Sequence, residues 1–212
     1  MKGIYTEYVI DALKTIYMAK PKTQSDDLQS VEKLIVLNLA RNKPQTKRET
    51  AKAISKHYKS TWDAYKRLEE KKLIQPASTK PYNTIDYPRY WLTDEGIMRA
   101  LIEGAKPERM LKQVKILYPD AKPTHVFLTI AQFVHSEVLK MVYSSVKGKN
   151  KIGLREILIV FLSQPSIAMD DDAAKKIATA LKEYPEEYAL IREKLEEMKN
   201  QLERVKSTIF SK

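Results

Sequence analysis

The 212-residue chain is expected to be a mainly α-helical protein with one small β element. Three features of the sequence predict this. Glycine is scarce, with five in the whole chain. Apolar residues recur three and four positions apart along most of its length, the spacing that gathers them on one face of an α-helix. Only residues 73–92 depart from that spacing, with two short β-type runs on either side of a proline-bracketed loop, the pattern of a hairpin.

Taken in order, Tyr5, Val9, Ile10, Leu13, Ile16 and Tyr17 predict a first helix, and the polar residues 20–26 read as a linker. A second helix is expected over residues 28–42, with Val31, Leu34, Ile35, Leu37 and Leu39 as its apolar face and Pro44 beyond its end. Thr46 with Glu49 fits a capping box opening a short helix over 47–57, and Ser60 with Asp63 repeats the signal for a helix reaching residue 72. Strands are expected over 73–79 and 89–92. Asp94 is placed as the cap of a helix running to about residue 105, and longer helices are expected over 108–117, 124–146 and 154–163.

The closing segment has the most regular spacing: Ala174, Ile177, Leu181, Tyr184, Tyr188, Ile191, Leu195, Met198, Leu202, Val205 and Ile209 form an a/d heptad seam. Pro185 either kinks this helix or starts a second one. Tyr188, Ile191, Leu195, Met198, Leu202, Val205 and Ile209 are the dimerisation candidates. The flanking charges leave the orientation of the pair open, since a parallel arrangement sets Glu187 favourably against Arg192 but Lys194 against Lys199.

Charge is concentrated rather than spread. Residues 41–80 hold twelve Lys and Arg against four Asp and Glu, so this window carries +8 of the formal +11. A surplus packed into one stretch suits a surface that meets a polyanion, because each neutralised phosphate releases condensed counterions. The absence of cysteine removes disulfide-stapled folds and thiolate zinc sites. Residues 1–19 lack a signal peptide's unbroken apolar stretch, and the most apolar run, 157–162, is far shorter than a bilayer-spanning helix, so a cytoplasmic protein that avoids membranes is expected.

Over residues 27–105 the order is helix, short helix, helix with a basic outer face, β-hairpin, helix. This order resembles the winged helix-turn-helix family. Ala64-Tyr65-Lys66-Arg67-Leu68-Glu69-Glu70, then Leu73-Ile74, is similar to the segment that leads into the wing in MarR- and PadR-type transcriptional regulators. Arg89-Tyr90-Trp91-Leu92-Thr93-Asp94-Glu95-Gly96 resembles the Tyr-x-Leu-Thr-x-x-Gly signature of the return strand and following helix. One departure is Lys72, where the family usually has glycine to relieve a left-handed backbone.

The resemblance implies a recognition helix over 60–72, a wing over 76–89, and dimerisation through helices outside the wing. It divides the chain into an N-terminal helix and linker (1–26), a DNA-binding domain (27–106) and a helical domain with the dimerisation helix (107–212). Helical spacing predicts that Trp62, Tyr65 and Leu68 pack inward. That turns Lys59, Ser60, Thr61, Asp63, Ala64, Lys66 and Arg67 outward, with Arg67 or Lys66 as guanine donors and Asp63 as either a cytosine acceptor or a cap. Lys47, Arg48 and Lys52, with Lys56, are placed near the phosphate backbone, His57 beside them is more often a solvent-facing residue than a phosphate ligand, and Lys80, Tyr82, Asn83 and Arg89 in the wing could reach the minor groove or its phosphates.

No phosphate-binding loop or paired-histidine motif occurs, and His125 and His135, ten residues apart in one expected helix, are too distant to share an ion. Asp170-Asp171-Asp172 suits a helix start. No catalytic role and no cofactor is assigned. The expected function is a sequence-specific, homodimeric regulator of transcription that binds double-stranded DNA. The alternatives are an architectural or replication-associated DNA-binding protein with weak sequence preference, and a winged helix turned protein-interaction module. An effector, small molecule or protein, is left open: Phe127, Phe133, Tyr143 and Phe161 could line a pocket, though such spacing is more often core.

Overall fold

The computed structural model describes residues 28–77, 87–149, 151–163 and 171–210. The expected first helix, the wing residues Lys80, Tyr82 and Asn83, and the side chains of Leu202, Val205 and Ile209 lie outside this description. Ten helices and one two-stranded antiparallel sheet are present among the described residues.

Helix α1 (Ser30–Arg41) is followed by α2 (Lys47–Ala53) and α3 (Tyr58–Glu70). The predicted capping box opens α2: the Glu49 N–H donates to Thr46 Oγ1 at 3.2 Å, and the Thr46 N–H donates to Glu49 Oε2 at 2.8 Å. The second predicted box is a correction. Helix α3 starts at Tyr58, with His57 as its cap, its ring Nδ1 accepting from the Lys59 N–H at 3.3 Å. Ser60 and Asp63 therefore lie within the helix, and Asp63 caps nothing. Helix α2 also ends earlier than expected, at Ala53, where Ser55 turns the chain through a positive φ of 53°.

Helix α3 ends at Glu70, short of the expected residue 72, and Lys72 has a φ of 56°, the left-handed conformation that a glycine would relieve. It turns the chain from α3 into β1 (Ile74–Pro76), which pairs antiparallel with β2 (Tyr90–Leu92) in the register Ile74 to Leu92, Gln75 to Trp91 and Pro76 to Tyr90. Gln45 adds a bridge on the other edge of β2, exchanging both backbone hydrogen bonds with Tyr90. The expected strand 73–79 thus shrinks to three residues.

Thr93, rather than Asp94, caps α4 (Asp94–Ile102). Its hydroxyl accepts from the Gly96 N–H at 3.1 Å and donates to the Lys72 carbonyl at 2.6 Å. Gly96 is required by contact. A Cβ placed there would stand 1.8 Å from the Leu73 carbonyl oxygen, so only glycine lets α4 lie against the turn after α3. Trp91, fully buried, donates its indole N–H to the Leu39 and Asn42 carbonyls at 2.9 and 3.2 Å, satisfying acceptors at the end of α1. Helix, short helix, helix, hairpin and helix, joined in this way, fit a winged helix-turn-helix.

Helices α5 (Pro107–Leu117), α6 (Lys122–Ala131), α7 (Ser136–Val146), α8 (Leu154–Ser163), α9 (Asp171–Leu181) and α10 (Pro185–Phe210) complete the chain. The single helix expected over 124–146 is in fact two, α6 and α7. They are joined by a turn at residues 132–135 that contains neither glycine nor proline and so leaves no mark in the sequence. Of the two options at Pro185, the second holds: it starts α10. None of the described helices is long and apolar enough to cross a membrane.

The core is continuous. Ile35, Leu39, Tyr65, Leu68, Trp91 and Met98 belong to one buried cluster with Met110, Phe127, Val142, Val160, Ile177 and Ile191. Helix α4 is the bridge, packing on α1 at one side and α7 at the other. Its first turn also holds the loop before α8: Asp94 accepts from the Ile152 N–H at 2.8 Å and Glu95 from the Gly148 N–H at 3.1 Å. The heptad seam is partly consumed by this packing. Ile177, Leu181, Tyr184 and Ile191 are buried and Leu195 packs against the same core, while Tyr188 is exposed. The reason is that α9 and the first turns of α10 lie against α6 and α8.

Candidate nucleic-acid interface

The outer surface of α2 and α3 is set by what α3 buries. Thr61, Ala64, Tyr65 and Leu68 are each fully buried, and Tyr65 Oη lies 2.7 Å from Thr50 Oγ1 on α2. This corrects two expectations. Thr61 and Ala64 face inward, with the Thr61 hydroxyl donating to the His57 carbonyl at 3.1 Å, so Thr61 is unavailable to a phosphate or a base. Trp62, expected in the core, keeps 39% of its surface accessible. The shift follows from packing against α1 and α2, where the small residues Thr61 and Ala64 allow close approach and the indole would not fit.

Three predicted DNA contacts are engaged within the protein. Arg67 donates from Nε to Glu32 Oε1 at 2.6 Å, and Lys71 reaches Glu32 Oε2 at 2.8 Å, so the fully buried carboxylate of α1 anchors the C-terminal half of α3. Burial pushes the Glu32 carboxyl up, but the Lys71 and Arg67 hydrogen bonds outweigh it and hold the group below its ordinary value. Arg89 grips Glu49 through both guanidinium ends, each at 2.8 Å, and donates to the Pro44 carbonyl at 3.2 Å, tying β2 to the start of α2.

Lys47 sits among aromatic rings. Its Nζ lies 4.3, 5.6 and 4.9 Å from the ring centroids of Trp62, Tyr65 and Tyr90 and 3.2 Å from Glu69 Oε2. A partly desolvated cation over aromatic faces is an internal fastening, not a free phosphate ligand. The Tyr90 hydroxyl beside it has its pKa pushed up to about 12, mainly by burial and further by Glu69.

The remaining candidates stay outside. Arg48, Lys52, Lys59, Ser60, Asp63 and Lys66 are exposed, as are Lys56 and Lys72, and Arg48, Lys52, Lys56, Lys59 and Lys66 form no ion pair with another described residue. Beside them an open groove of about 910 Å³ runs between α2, the first turn of α3 and β2, lined by Arg48, Lys56, Tyr58, Trp62, Tyr87 and Arg89 among others. Tyr58 and Tyr87 are 47% and 75% exposed. Sequence reasoning missed this aromatic face; the one available signal was the adjacency of Tyr58 and Trp62 at i and i+4, which by itself also fits a core.

No protein-family model matches the chain, and no curated protein sequence does. Among solved structures, a similar one is a zinc-responsive MarR family member, ZitR of Lactococcus lactis. It is 16% identical, the match covers 67% of this chain and 92% of that one, and the TM-score is 0.32. What the α2–α3 face can bind is therefore decided by the side chains it carries. Among the described residues, no group of three His, Asp or Glu side chains is placed to hold a metal ion.

Proposed function

We propose that the chain binds double-stranded DNA with the exposed face of α3 in the major groove and α2 along the backbone, and acts as a dimeric regulator of transcription. The observation that carries this reading is the separation of the two faces of α2–α3. One face is fully packed, and the other presents Arg48, Lys52, Lys56, Lys59 and Lys66 with no described ion-pair partner. Such cations gain most by displacing counterions from phosphates, and a rigid helix presenting them matches the groove's dimensions.

A second reading, a DNA-binding protein with weak sequence preference, is favoured by one observation. Arg67, the leading candidate for reading guanine, is turned onto Glu32. Contacts made by lysines to phosphates give affinity without sequence information. Selection from a random-site DNA pool at two salt concentrations separates the readings. An enriched inverted repeat supports the regulator; steeply salt-dependent binding without enrichment supports the second reading; no binding at low salt overturns both.

A further inference from the structure

Aromatic side chains left in water beside unpaired cations call for a ligand with both flat faces and negative charge. The groove between α2, α3 and β2 has this composition: Tyr58, Trp62 and Tyr87 provide accessible rings, with Arg48 and Lys56 at the rim. The rings of Tyr58 and Trp62 are 5.9 Å apart and inclined by 55°, and both residues line the groove. Lys47 Nζ lies over the Trp62 ring, 4.3 Å from its centroid, and so restrains the indole.

We infer that this groove seats an unpaired nucleobase, so that the protein binds a duplex bearing a short single-stranded extension or opening more tightly than a continuous duplex. This rests on the reading of the α2–α3 face as DNA-binding. Within a duplex both faces of a base are covered by its neighbours, and only an unpaired base can stack on a protein ring without a prior unstacking cost. Stacking on an aromatic side chain is tolerant of base identity, and a positive rim follows the phosphates on either side of the stacked base. The groove's volume, about 910 Å³, lies within the roughly 300 to 1,000 Å³ typical of small-molecule sites and so has room for a base. Trp62 belongs to α3 itself, so a base seated there adjoins the duplex that α3 contacts.

The test uses the full chain and three DNA ligands: a blunt duplex, the same duplex with a short thymine overhang, and the same duplex with an abasic overhang. Binding is followed by anisotropy and by tryptophan emission. Trp91 is fully buried, so quenching on stacking reports Trp62. The thymine overhang is expected to raise affinity about ten-fold over the blunt duplex and to quench emission, and the abasic overhang to do neither. Trp62→Ala and Tyr58→Ala should each erase the gain, and Trp62→Phe should restore it.

Equal affinity for the three ligands with unchanged emission overturns the inference while leaving the duplex reading in place. Gain from the thymine overhang without binding of the blunt duplex supports the inference and overturns the duplex reading. Failure to bind any of the three overturns both.

Discussion

Glu32 shows how a single residue can redirect a surface. It is fully buried in the first turn of α1, yet its two cations, Arg67 of α3 and Lys71 just past the end of that helix, lie 35 and 39 residues further on. Glu32→Gln is expected to cost about 2 kcal/mol, toward the low end for a broken buried ion pair because Arg67 and Lys71 remain partly in water and their charges are screened. For a chain of this size that is a fall in Tm of about 4 to 8 °C, measurable by thermal denaturation. Because the folded carboxyl lies below its ordinary value of 4.5, its contribution is complete above that pH and is lost as pH falls through the depressed folded value. Gly96→Ala is expected to be harsher, about 3 kcal/mol or more, since the added methyl meets backbone oxygen rather than a movable side chain. In contrast, Lys72→Gly should stabilise by about 0.5 kcal/mol, because relief of the left-handed backbone slightly exceeds the entropy that glycine loses on folding. Chemical denaturation of the two variants measures both signs.

At the scale of elements, α3 divides its charged residues between ion pairs within the protein and an exposed face. Arg67→Ala should lower Tm and leave the salt dependence of DNA affinity nearly unchanged, because its Nε is already committed to Glu32. Lys66→Ala, one position earlier and exposed, should leave Tm alone and reduce the slope of log affinity against log salt by about 0.9, the counterion equivalent of one phosphate. Anisotropy titrations of both variants over a salt series decide this, and the reverse pattern would mean that Arg67 leaves Glu32 on binding. Much of α3 was legible in the sequence: its existence, the inward positions of Tyr65 and Leu68 and the outward lysines. Its rotation about the axis was not, since an apolar count favours Trp62 as core and gives no weight to Thr61 and Ala64. Which of these goes inside depends on how closely α1 and α2 approach, and that distance is set by the whole cluster.

For the molecule as a whole, the shared core makes the segment up to α4 and the helices beyond it mechanically dependent. Helix α4 serves both, and His125 locks the corner between α9 and α10 onto the rest. Its Nε2–H donates to the Tyr118 carbonyl at 3.0 Å, and its Nδ1 faces Tyr184 Oη at 3.3 Å. Burial pushes the imidazole below its ordinary 6.5, against a smaller opposing effect of the Tyr118 carbonyl. The unfolded chain therefore takes up a proton first, so stability is full above about pH 6.5 and declines as pH falls below it. His125→Gln should flatten that part of the Tm-against-pH curve, leaving the Glu32 contribution below pH 4.5. If the outer part of α10 mediates dimerisation, Met198→Glu should give a monomer in sedimentation and weaken DNA binding while preserving Tm, because Met198 is not part of the buried core.

The sequence by itself determined the order of helices and hairpin over residues 28–105, the cap at Thr46 and the concentration of positive charge. These are local, set by spacing, backbone sterics and hydrogen bonds within a few residues. Only the tertiary structure decided which cations stay free. Glu32, Glu49 and Glu69 select Arg67, Lys71, Arg89 and Lys47 as partners across 22 to 40 residues of chain, and packing against α1 and α2 turns Trp62 outward. Charge and apolar character are properties of residues, but pairing and burial depend on distances that exist only after the chain has folded.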